Sequence, residues 1–175
     1  IQYLTENADH VIIQTPYVIC NGYMYDVLQG ISDHAKLQIV LNAVEKGSNP
    51  WGCTDYLNQK KKILETGADV YELMNDYPVH TKAVLINDRL SVVGSYNLDM
   101  RSTYLDTELM LVIDSEKLSQ QIHETESDYM EKSKEVLANG QETEGAKYQG
   151  KVLNRKKKLY YGVLRIIIRP LRQLL

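Results

Sequence analysis

His80 and Lys82 stand two residues apart in VHTKAVLI (79–86), and in an extended chain residues so spaced project from the same side. An imidazole beside a fixed ammonium is a nucleophile or proton carrier placed next to a charge that holds anions. Ser95 and Asn97 repeat the two-residue spacing just after Gly94, adding a hydroxyl and an amide. Glu108 follows, a carboxylate able to accept a hydrogen bond from one histidine nitrogen. The set can bind a phosphate and hold the imidazole in one tautomer. Each piece alone is ordinary: an H-x-K pair is commonly a surface feature, and a G-S-x-N turn is commonly turn chemistry. Their joint spacing carries the signal.

Positioning them requires a sheet. VIIQTPYVI (11–19) and LQIVLN (37–42) read as buried strands, as do ADVYELM (68–74), VHTKAVLI (79–86), RLSVVGS (89–95) and TELMLVID (107–114). A hairpin turning near Asn87 and Asp88 would bring Ser95 and Asn97 beside His80 and Lys82. Helices are expected over GYMYDVLQGISD (22–33), over 54–67 with Gly67 as C-cap, and over 115–137 behind the Ser115 N-cap. The segment 44–52 is loop-like, and NGQETEGAKYQG (139–150) is polar enough for a linker. Strands alternating with helices predict an α/β fold with a mixed sheet sandwiched by helices on both faces. The expected organisation is 1–138 as the site-bearing domain, 139–150 as linker and 151–175 as a basic amphipathic helix.

At this point the chain resembles the phospholipase D superfamily, and within it the bacterial cardiolipin synthase-like members. The resemblance rests on His80-Thr81-Lys82, four residues, then Asn87-Asp88, followed by Gly94-Ser95-Tyr96-Asn97 and Glu108. It extends upstream to TPY (15–17) and TDYLNQKKKILETGADVYEL (54–73), covering roughly residues 1–135. It implies chemistry at a phosphodiester shared by two H-x-K motifs, without metal or cofactor. One histidine forms a phosphohistidine, and the other protonates the leaving alcohol and deprotonates the incoming one. His80 is read as the acid/base histidine, with Lys82, Ser95 and Asn97 on the phosphate and Glu108 orienting His80. The family's motif Asp falls on Asn87, with Asp88 adjacent, and the resemblance gives both a role in supporting the fold.

The chain contains one such motif. His34-Ala35-Lys36 matches the short pattern but lacks the later residues, while His10 and His123 read as polar surface or helix positions. The expected partner is therefore the missing N-terminal half of the same polypeptide, or a second copy, and the chain alone would be inactive unless it self-associates. The sequence opens on Ile1 rather than Met, which reads as a piece of something longer.

Charge sharpens the rest. The 175 residues carry a net −3, but eight basic and no acidic residues lie in 151–175, leaving 12 basic and 23 acidic groups elsewhere. An acidic body argues against nucleic acid as a partner, since nucleic-acid tracks need basic grooves. Lys158, Arg165, Arg169 and Arg172 fall on one helical stripe, expected to meet an anionic phospholipid membrane, on the cytoplasmic face of a bacterial cell. Pro170 should kink or end that helix. Cys20 and Cys53 form neither a disulfide framework nor a CxxC metal motif. No window reaches the ~18–20 apolar residues that span a bilayer. Three functions stay open: a phosphatidyltransferase making cardiolipin from phosphatidylglycerol, a phospholipase D or other phosphodiesterase that uses water, and a non-catalytic membrane-binding or assembly module.

Overall fold

Four strands buried along nearly their whole length form the centre of the sheet: β1 (His10–Gln14), β3 (Lys36–Asn42), β4 (Asp69–Leu73) and β5 (Ala83–Ile86). Their continuous aliphatic runs belong to strands covered on both faces. A computed structural model, describing residues 2–175, supplies the rest of the architecture. After β1 come β2 (Val18–Ile19) and the helix α2 (Gly22–Ser32), preceded by the short α1 (Gln2–Thr5). Helix α3 (Pro50–Glu65) joins β3 to β4, and β6 (Leu90–Gly94) follows β5. Then come β7 (Leu98–Asp99), α4 (Met100–Tyr104), β8 (Met110–Asp114), α5 (Glu116–Glu131), β9 (Ser133–Val136) and β10 (Glu142–Glu144). The chain closes with α6 (Arg155–Ile167) and a 3₁₀ segment, Arg169–Leu174.

Among the described residues the main sheet has eight strands in the order β10-β9-β4-β3-β1-β5-β6-β8. β1, β3 and β4 run parallel, and the remaining pairings are antiparallel, so the sheet is mixed. One face, carrying Val11, Ile13, Leu37, Ile39 and Val84, packs with Met24, Leu28 and Ile31 of α2 and with Tyr56 and Ile63 of α3. The other, carrying Ile12, Val40, Tyr71, Leu73 and Leu85, packs beneath Ile122, Tyr129 and Met130 of α5. The expected α/β fold with helices on both faces is the observed one.

Helix starts follow their caps. Asn21 Oδ1 accepts from the Met24 amide at 3.0 Å, and α2 then buries Met24, Leu28 and Ile31 at four- and three-residue spacing. Asn49 accepts from the amides of Trp51 and Gly52, and Pro50 occupies the first turn, so α3 begins four residues before the expected start.

The two polar segments after α5 depart from expectation. The helix expected to Leu137 ends at Glu131, because Ser133 and Val136 are drawn onto the open edge of β4 as β9. Residues 139–150, expected as a linker, contribute β10 at the sheet edge. The reason is electrostatic. Lys60 and Lys134 bridge Glu72 at 2.7 and 3.1 Å and Glu142 at 3.5 and 3.4 Å, so an acidic strand completes a charge cluster the body already holds. The amides of Gly145 and Lys147 then bond the carbonyls of Ser133 and Glu131.

The C-terminal segment is docked rather than free. Tyr161, Leu164 and Ile168 are buried, and α6 packs on α3. α-Helix gives way to the 3₁₀ segment just before Pro170, where a ring without an N–H removes the next helical bond. Arg172 reaches Asp55 in two bonds, at 2.5 and 3.0 Å, and the Cys20 carbonyl at 2.7 Å. No described helix is long and apolar enough to cross a membrane.

Candidate active site

The extended segment before β5 carries the H-x-K pair. His80 and Lys82 precede the strand, which starts at Ala83 rather than at Val79 as expected. Their approach is fixed from outside the motif. Asn42, the last residue of β3, donates to the Val79 carbonyl at 2.8 Å and accepts from the Val79 amide at 2.8 Å. It also donates to the Pro16 carbonyl at 3.1 Å, tying the TPY segment to the same point. A side-chain amide that clamps both backbone groups of one residue sets the direction in which the next residue leaves. That residue is His80.

Lys82 is buried, and its Nζ lies 2.7 Å from His80 Nδ1, 3.2 Å from Nε2 and 2.8 Å from the His80 carbonyl oxygen. Burial, then the Lys82 charge, holds the His80 imidazole below its ordinary value. Burial also lowers Lys82, against the opposing pull of the Glu108 and Asp99 carboxylates. The ring is therefore a neutral base at neutral pH, with an ammonium donor against it.

The β5–β6 hairpin brings the second group alongside. Ala83 pairs with Val93, and the Gly94 amide bonds the Lys82 carbonyl at 3.3 Å. Gly94 cannot carry a side chain: a Cβ there would lie 2.0 Å from the Leu109 carbonyl oxygen, because β8 passes directly beside it. Ser95 Oγ donates to Glu108 in a very short bond, and its amide bonds Leu109 O at 3.0 Å. Hydrogen bonds from Ser95 and Ser102 hold Glu108 below the usual carboxylate value. Asn97 turns inward, where its amide and Nδ2 donate to Ser102 Oγ at 3.3 and 3.4 Å. The Asn97 Oδ1 is buried without a partner among the described residues.

The turn is anchored by β7, which pairs with β2 in a parallel two-residue bridge, Val18 with Leu98 and Ile19 with Asp99. Thr15 Oγ1 accepts from the Leu98 amide at 3.2 Å. Buried Asp99 caps α4 by accepting from the Ser102 amide at 2.6 Å, which sets Ser102 against Asn97.

The structure thus places His80, Lys82, Ser95, Asn97 and Glu108 in one neighbourhood, with one change of role. Glu108 has no hydrogen bond to His80; its acceptors face Ser95 and Ser102, because the β8 backbone fixes it on the serine side of the turn. Asn87 sits at the hairpin tip with φ +50°, a conformation asparagine tolerates better than most residues. Its Oδ1 accepts from the amides of Asp9 and His10 at 3.0 and 3.1 Å, stitching the hairpin to β1. Only acceptor capacity is used, so an amide serves as a carboxylate would. Asp88 is exposed beside it and far along the strand from the site. His34 bonds the Thr5 carbonyl at 2.8 Å, and His10 bonds Gln38 at 2.7 Å, so neither joins the site.

Of the four tail cations expected at a membrane, two are committed to the body. Arg172 pairs with Asp55, and Arg165 donates to Asn58 Oδ1 at 2.8 Å. The stripe drawn on one helix breaks where the 3₁₀ segment begins, which turns Arg172 inward. Lys158 and Arg169 remain exposed. Asn42, Asp99 and Ser102 were not singled out from sequence; an Asn closing an aliphatic strand, as in LQIVLN, is the one visible signal.

Likenesses to one known family and three known proteins meet this geometry. Residues 1–128 match the family described as cardiolipin synthase, PLD-like domain. Cardiolipin synthase A of Proteus mirabilis is 30% identical over 150 residues, covering 83% of this chain and 29% of that protein, so the chain spans under a third of its relative's length. Among solved structures, phosphatidylserine synthase of Haemophilus influenzae aligns with a TM-score of 0.70 at 16% identity, over 99% of this chain and 44% of that one. Nuc, a phospholipase D family member from Salmonella typhimurium, aligns at 0.62 and 14% identity, over 82% and 88% of the two chains. At these identities the structural likenesses speak for the fold.

Proposed function

Because the chain belongs to the cardiolipin synthase, PLD-like domain family, we propose that it supplies one half-site of a phosphatidyltransferase that makes cardiolipin from phosphatidylglycerol. The observation that carries this reading is the contact of Lys82 Nζ with His80 Nδ1 at 2.7 Å, beside the Ser95–Asn97–Glu108 turn. Once a bound phosphate draws the Lys82 ammonium away, the imidazole can take up a proton, and as imidazolium it would give one to a leaving alcohol.

In the reaction, the histidine of the complementary half attacks phosphorus, a P–N bond forms and the P–O bond to the departing glycerol breaks. His80, protonated once the phosphate has drawn Lys82 off the ring, gives that oxygen a proton and is left neutral. It then takes the proton from the hydroxyl of a second phosphatidylglycerol, whose oxygen attacks phosphorus as the P–N bond breaks. Lys82 leaves the neutral imidazole for the anionic phosphate and steadies charge on its equatorial oxygens, with Ser95 and the Asn97 amide at the same turn. Glu108 positions Ser95 and Ser102.

Support for a second half comes from the sheet edge nearest the site. β8 is an edge strand with Leu111 and Val112 exposed, and Leu109 is exposed just before it, next to Glu108. An edge of that kind calls for a covering partner. The complementary half of a longer polypeptide or a second copy of this chain would provide it. The substrate also supports an anionic phospholipid membrane as the working surface.

The test is phosphatidylglycerol turnover in detergent micelles by the assembled two-half protein and by its His80→Ala variant. Cardiolipin with free glycerol, lost in the variant, is the expected result. Phosphatidic acid without cardiolipin would point instead to a hydrolase, and equal product from both proteins would refute a site at His80.

A further inference from the structure

α6 has two apolar sides, and among the described residues only one of them has a partner. Tyr161, Leu164 and Ile168 face α3 and are buried. Leu159, Val163 and Ile166 are 72, 51 and 70% exposed. At about 100° per residue these three lie within about 60° of one another and roughly opposite the buried row. Tyr160 and Ile167 widen the ridge on one flank. Arg155 and Lys156 stand on the first turn of the same side and Lys158 on the other flank, all exposed, with no acid anywhere in 151–175.

We propose that this outer ridge inserts into the headgroup–acyl boundary of an anionic phospholipid bilayer. The proposal rests on the reading above in that the substrate is itself a lipid, and it relocates the membrane contact. The ridge, not the stripe of Lys158, Arg165, Arg169 and Arg172, makes the contact, since Arg165 and Arg172 are held by Asn58 and Asp55. Aliphatic side chains between lysines, on a helix clamped flat against a globular body, have the composition of an interfacial helix. Charge selects the occupant. Two copies meeting ridge to ridge would set one tail of +8 against another, whereas anionic headgroups neutralise it.

Flotation with vesicles of equal parts phosphatidylglycerol and phosphatidylcholine tests this. The wild-type chain should float, and a Leu159→Ser, Val163→Ser, Ile166→Ser variant should bind about 100-fold more weakly, from loss of roughly three half-inserted aliphatic side chains. Its melting temperature should be unchanged, because all three positions are exposed. Lys156→Gln with Lys158→Gln should weaken binding by about 10-fold at low salt, and much less at high salt. Ile166→Trp should give blue-shifted emission on vesicles, an independent reading should the triple variant misfold. Undiminished flotation of the triple variant, or unshifted tryptophan emission, overturns the proposal. So does a wild-type dimer that the triple variant abolishes without any change in flotation. His80→Ala should float like wild type. A wild type that floats but makes no cardiolipin would sink the catalytic reading and leave this one standing. Turnover in micelles without flotation would do the reverse.

Discussion

Replacing Arg172 with Met isolates the contribution of the C-terminal segment to the fold. The Asp55 side chain is fully buried, and Arg172 meets it with Nε at 2.5 Å and a second nitrogen at 3.0 Å while also bonding the Cys20 carbonyl. Methionine keeps most of the stem and removes every donor, leaving a carboxylate enclosed without a cation. Stranding one member of a buried pair costs about 3–5 kcal/mol, a large share of the ~5–15 kcal/mol that holds a domain together. For a chain of this size 1 kcal/mol moves the midpoint by about 2–4 °C, so the variant should melt roughly 6–20 °C lower. The Arg172→Met, Asp55→Leu double variant removes both charges and should recover most of the loss, since an apolar pair of similar volume is often neutral or stabilising. Thermal and urea melts of wild type, Arg172→Met, Asp55→Leu and the double variant complete the cycle, and the coupling between the two sites should exceed ~2 kcal/mol. A single variant within about 0.5 kcal/mol of wild type, the range of an ordinary surface change, would refute the pair as a structural tie and return Arg172 to the solvent.

Glu126, buried on α5 with both carboxyl oxygens lacking partners among the described residues, is pushed up to about 8 by desolvation. Its folded value lies above the unfolded one, so stability is full below the unfolded value and declines as pH rises toward 8, losing about 3 kcal/mol by pH 7. Glu126→Met should abolish most of that slope in urea melts between pH 5 and 8, and an unchanged slope would assign the burial penalty elsewhere. At the hairpin tip, Asn87→Asp should fall within about 0.5 kcal/mol of wild type, while Asn87→Ala should cost about 2 kcal/mol through two lost acceptors and a positive φ. Equal melts for the two would remove the acceptor argument. Because burial and Lys82 together lower His80, its ring resonances should titrate below the ordinary histidine value by NMR and move upward in Lys82→Met; a downward or absent shift contradicts the pairing.

Sequence reading reached the centre of this molecule more easily than its edges. VIIQ, LQIVLN and VYEL are aliphatic runs that only a doubly covered strand accommodates, and they became β1, β3 and β4. Ser-Lys-Glu-Val and Glu-Thr-Glu have no such signature, because β9 and β10 are held by ladder bonds and by the Lys60–Lys134–Glu72–Glu142 cluster, drawn from four different elements. The site divides in the same way. Residue types and spacing picked out His80, Lys82, Ser95, Asn97 and Glu108, whereas the partner of Glu108 depends on how β8 passes the turn. Asn42 acts through a contact 37 residues away in sequence, and no local pattern reports that. The tail cations looked equivalent on a helical wheel and differ in the fold because Asp55 and Asn58 wait on α3 for two of them.

The pinning of residues 139–150 has a mechanical consequence. A flexible tether between body and α6 would let the Ser95–Asn97 turn wander relative to whatever α6 rests on. Here the chain is stitched through β10, the Gly145 and Lys147 amides and the Lys60–Lys134–Glu72–Glu142 cluster, and α6 itself is clamped to α3. A force on the outer helix therefore meets α3 directly. His80 and the ridge of α6 are carried on one packed body, so the height at which the proposed half-site would meet a phosphodiester is set by the fold and not by a linker's length.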